Sequence, residues 1–119
     1  MDKEIASFAS VLLHSGTIAH LQHLQTDSFA KHKALGKYYP EIIDLVDTLV
    51  ENYQGKYNVI KKYPNEYHPE KEPVEYFEGL MEFVAESREH LPKDTEIQNL
   101  IDEIASLINS TLYKLKHLK

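Results

Sequence analysis

Three of the chain's seven histidines fall close together, at His20, His23 and His32. Neutral imidazole is the commonest nitrogen ligand for transition metals, and carboxylates complete sites for iron and similar ions. The candidate carboxylates follow at Asp44, Asp47 and Glu51. If residues 28–54 form a helix, each residue advances about 100° around its axis. Measured from Ile42, the apolar residues then cover an arc from about −60° to about 100°, with His32 near ~80°, Gly36 near ~120°, Asp47 near ~140° and Glu51 near ~180°. These four make one stripe at the margin of the core face, a place that suits a groove or a second subunit. Other chemistries have less support. There is no cysteine, hence no thiolate site and no disulfide. The Glu-x-x-His pair of di-iron sites inside a bundle is missing, and no glycine-rich phosphate loop, nucleophile elbow or Ser-His-Asp set is recognisable.

Four helical segments would position these residues. The first runs over about 3–25, with Ile5, Phe8, Leu12 and Ala19 on one stripe and Val11, Ile18 and Leu21 widening it. The second opens at Asp27 or Ser28, both good N-caps, and runs over 28–54 to a stop at Gly55. Its apolar face holds Ile42, Ile43, Leu45, Val46, Leu49, Val50 and Tyr53, an arc too wide for one bundle interior. The third, 73–91, starts with Pro73 in its first turn and ends before Pro92. The fourth, 95–117, opens on Thr95 and Gln98 as a capping box and repeats Ile97, Ile101, Ile104, Ile108 and Leu112. Short links within each pair predict two antiparallel hairpins. Between them, 55–72 carries no period. A helix of about 26 residues is ~40 Å long, and about eighteen extended residues reach up to ~60 Å, enough to return along its full length. The expectation is an all-α, ferritin-like four-helix bundle in one domain, its hairpins joined by this crossover. The crossover is expected to hold a short helix near 57–62 and to be pinned by Tyr57, Tyr63 and Tyr67.

Bulk properties agree with one domain. At 119 residues and 42% hydrophobic content the chain can bury a core without staples. No apolar run reaches the ~18 residues of a membrane span, so a cytoplasmic protein is expected. The formal charge of −6 opposes a protein that coats nucleic acid. The lysines at 114, 116 and 119 are read as partners of a helix C-terminus. Glu75, Glu78, Glu82, Glu86 and Glu89 read as a solvated face, and His14 and His23 as structural polar residues.

The stretch HLQHLQTDSFAKHKALGKYYPEIIDLVDTLVENYQG, residues 20–55, resembles the Dps branch of the ferritin-like proteins. The ferroxidase pattern of that branch reads His, eleven residues, His, three, Asp, ten, Asp, three, Glu. His20 and His32 stand at its two histidine positions, and Asp47 and Glu51 at its last two carboxylates. Gly36 stands at the middle aspartate, so one ligand is missing. Small ferritin-like proteins encoded by bacteriophages look similar too. The resemblance implies Fe²⁺ (or zinc) held by His20 and His32 of one subunit with Asp47 and Glu51 of its two-fold mate. It also implies a homo-oligomer, at least a dimer, and a degenerate ferroxidase. The alternative is a non-catalytic helical assembly module. Gly36 has a structural reading as well: Pro40, four residues on, removes the bond to its carbonyl, and the pair reads as a kink that admits a close neighbour.

Overall fold

The computed structural model describes residues 1–65 and 71–119, and among them every regular element is helical. Helix α1 spans Asp2–Gln25, α2 Phe29–Lys56, α3 Pro73–Ser87 and α4 Thr95–His117, with a short 3₁₀ turn at Arg88–His90. Ser28 caps α2 by accepting the amide of Lys31. Glu72 does the same for α3 through Glu75, with Pro73 in the first turn. Each cap satisfies an amide that the helix itself leaves without a partner.

Contacts at the two ends fix the direction of each helix. At one end the Tyr53 hydroxyl donates to the Asp2 carboxylate, and Phe8 stacks on Phe83 with ring centres 5.8 Å apart. There Lys56 also pairs with Asp94 at 2.7 Å. At the other end the Gln22 amide donates to the Lys71 carbonyl at 3.2 Å, and Lys116 pairs with Glu78 at 3.4 Å. So α1 and α4 run one way, and α2 and α3 the other. Helix α1 packs on α2 and α3, and α4 packs on the same two. Lys56 and Lys71 therefore lie at opposite ends of the molecule, and α3 runs parallel to α2.

The core lies between all four helices. Ile5, Phe8 and Leu12 meet Tyr38, Ile42, Val46 and Leu49 from α2, Phe77 and Leu80 from α3, and Ile97, Ile101, Ile104 and Ile108 from α4. Two polar groups inside it satisfy each other. Ser15 Oγ donates to the Leu12 carbonyl at 2.5 Å, so the buried Tyr38 hydroxyl donates to Ser15 at 2.7 Å. Burial pushes the Tyr38 phenol far above its usual range.

Several expected details differ. Gly55 does not stop α2, which continues to Lys56; no glycine has a positive φ, so no left-handed cap forms there. The α-helical part of α3 ends at Ser87, not Leu91, and the backbone tightens into the 3₁₀ turn. The Thr95–Gln98 box does not form. Asp94 is the N-cap residue, and its carboxylate serves Lys56 and Tyr57 instead. The Gln98 side chain turns to the Pro92 carbonyl and to Arg88. Residues 57–62 form no helix. Tyr57 does pin its segment, stacking on Tyr53 at 4.9 Å and donating to Asp94 at 2.6 Å. Tyr63 is 43% exposed and Tyr67 lies outside the described residues. Buried Ile60 holds the strap instead, together with the Asn58–Asp2 and Ser10–Pro64 hydrogen bonds.

Candidate metal centre

The turn at 26–28 folds the last turn of α1 against the first turns of α2, which brings His23 to His32. Their rings stack with centres 3.7 Å apart and planes 17° from parallel. Each ring also bonds the other residue's backbone: His23 Nδ1 lies 2.6 Å from the His32 carbonyl, and His32 Nδ1 lies 2.8 Å from the His23 carbonyl. A carbonyl oxygen only accepts, so both Nδ1 atoms carry protons. In the neutral ring that leaves the Nε2 lone pair open, and metal-binding imidazoles are commonly oriented in this way. His20, one turn earlier, stacks on Tyr39 at 4.1 Å and 10°, and its ring centre lies 6.2 Å from that of His23. Tyr39 closes the group with its edge toward His23, 5.7 Å away.

Gly36 is part of this arrangement. A Cβ there would lie 2.9 Å from His23 Cε1 and 3.0 Å from His23 Nδ1. The close neighbour expected at Gly36 is therefore the His23 ring, pinned by its stack and hydrogen bond. Any side chain at the position of the missing aspartate would begin too close to that ring, and something would have to shift. His23 thus has a structural role, bonded to the His32 carbonyl and packed against Gly36. Helix α2 is continuous through Pro40.

The carboxylates are elsewhere. Asp47 and Glu51 are exposed on α2, about 22 Å and 28 Å along the helix from His32 at 1.5 Å per residue. One chain therefore brings together the histidines but not the four proposed ligands. Among the described residues no group of three or more His, Asp or Glu is placed to hold a metal ion. The histidine half and the carboxylate half could meet only across two chains. Tyr39 was missed at the sequence level. Its spacing of three from Gly36 was the available signal, since residues three apart share a helix face.

A family model described as a family of unknown function, DUF5856, matches residues 23–115. The chain belongs to that family. The DUF5856 span starts at His23, so it takes in His32, Gly36, Asp47 and Glu51 and leaves His20 outside. The chain is also similar to an uncharacterized 14.6 kDa protein from the mobD–ri intergenic region of enterobacteria phage T4. The two are 27% identical over 109 residues, 91% of this chain and 84% of the phage protein. No solved structure matches this DUF5856 member. Among the described residues no helix is long and apolar enough to cross a membrane.

Proposed function

We propose that this protein is a Dps-like, ferritin-like bundle that pairs about a two-fold axis and binds Fe²⁺ or Zn²⁺ between subunits. His20 and His32 of one chain and Asp47 and Glu51 of the other are the ligands. The observation that carries the reading is the proton placement at His32. Its Nδ1–H is committed to the His23 carbonyl, which orients the ring and leaves Nε2 as the donor. Two imidazoles and two carboxylates suit either ion. Helix order and the full-length crossover support the ferritin-like description. With Gly36 filled by the His23 ring, the site lacks one family ligand, so Fe²⁺ is bound as a substrate by an incomplete ferroxidase set.

The test is calorimetry and thermal melting with Fe²⁺ (anaerobic) and Zn²⁺. A metal that prefers the folded dimer raises the melting temperature by mass action. His32→Ala should remove the rise, and Glu89→Ala, exposed on the far hairpin, should keep it. Equal metal binding by wild type and His32→Ala refutes the site. The assembly-module reading then stands in its place, favoured by one observation: the His23–His32 pair is also a complete structural clasp between α1 and α2.

A further inference from the structure

The geometry points to a second site: the groove between the start of α2 and the end of α4 binds a nucleoside polyphosphate, with lysines on the phosphates and Phe29 against the base. The groove has a volume of about 930 Å³, inside the ~300–1,000 Å³ usual for small-molecule clefts. Lys33, Lys37, Lys114 and Lys119 line it with His32 and Phe29, and among the described residues no Asp or Glu does. That is unexpected in a chain of charge −6. Lys56, Lys71, Arg88, Lys93 and Lys116 form ion pairs, whereas the four groove lysines, like Lys3, Lys31, Lys61 and Lys62 elsewhere, form none among the described residues; what distinguishes the groove is that it gathers four of them.

The backbone adds to the field. Helices α1, α3 and α4 each carry an acid in the first turn, and α2 carries none. Ser28 satisfies only the Lys31 amide, so the amides of Phe29 and Ala30 remain available at the positive end of a 28-residue helix. Phe29 is 73% exposed, with the Lys33 ammonium 5.9 Å from its ring centre. An exposed aromatic face beside unpaired cations is the combination that stacks a base and holds its phosphates. The positive region is bounded: beyond Lys37 and Lys114 the next groove is lined by Glu41, Asp44 and Glu103. A long polyanion would meet those acids, while a single nucleotide would not. The site shares His32 with the proposed metal centre but does not rest on that reading, because neither the lysines nor Phe29 is among its ligands.

The test is titration calorimetry of the full chain with ATP in EDTA, which keeps metal away from His32. ATP should bind once per chain. The Lys33→Glu/Lys37→Glu variant should weaken it about tenfold or more, and Phe29→Ala about threefold, with tripolyphosphate unaffected by Phe29→Ala. Lys93→Glu, at the opposite end, should bind as wild type does. These side chains are exposed, and circular dichroism melts verify that each variant is folded. Absence of ATP binding, unchanged binding by the double lysine variant, or adenosine binding as tightly as ATP would overturn the proposal. Decathymidylate binding more tightly than ATP would overturn it too, in favour of a single-strand surface.

Discussion

Two glycines inside helices have opposite surroundings, and substitutions there should change stability in opposite directions. Nothing lies within 4 Å of a Cβ built at Gly79, midway along α3. Gly79→Ala should therefore stabilise the fold by about 0.5–1 kcal/mol, the ordinary helix-propensity gain, measurable by urea unfolding. At Gly36 the same gain meets the His23 ring, and Gly36→Ala should cost about 1–2 kcal/mol through overpacking. The sign should reverse in a His23→Ala background, where the ring is gone. If Gly36→Ala destabilises equally with and without His23, the ring is not the obstacle. The same contact affects repair of the ligand set. Gly36→Asp should lose stability rather than gain metal affinity, since its first carbon would crowd an imidazole held by a stack and a hydrogen bond.

At the scale of elements, the end where α1 starts and α4 begins is held by carboxylates. Hydrogen bonds from Tyr53 and then Asn58 hold the Asp2 carboxyl below its ordinary range, and Lys56 followed by Tyr57 does the same for Asp94. Burial, aided by Asp2, pushes the Tyr53 phenol up to about 12. A carboxyl depressed by folding stabilises the native state above its unfolded value and loses that contribution as pH falls through the folded one. The melting temperature should thus drop as pH falls below about 4, the ordinary carboxyl range. Asp94→Asn should flatten that drop; an unchanged acid profile would assign the loss to other groups. Periodicity located all four helices because each has one clear apolar stripe and only short links within its hairpin. Helix ends were less legible. Whether Asp94 caps α4 or reaches across to Lys56 is decided by a residue about forty positions away in sequence. The histidines were legible by spacing, but their clasp was not, since ring stacking and tautomer depend on how the turn at 26–28 closes. Ile60 gave no signal because a single buried side chain in an irregular strap has no period.

For the whole molecule, the apolar arc of α2 exceeds what one interior can cover. Ile43 is 43% exposed, and Leu21 and Leu24 on the same hairpin are more than half exposed. A two-fold dimer through α1 and α2 is the expected state. Light scattering that gives a monomer at ~100 µM, far above the dissociation constants of specific homodimers, would exclude it. Ile43→Glu should shift the balance toward monomer without unfolding the chain, because its side chain is not part of the core.

The direction of the strap also has a consequence in time. Each hairpin closes over a few residues, so α1–α2 and α3–α4 can each form from neighbouring sequence, whereas seating α3 beside α1 requires the whole crossover to be laid down. Helix α3 is the shortest of the four, at 15 residues, and has a glycine with empty space around it at its middle. Its amides should be the first helical ones to exchange with deuterium, while those around Ile42 to Leu49 exchange only when the entire molecule opens.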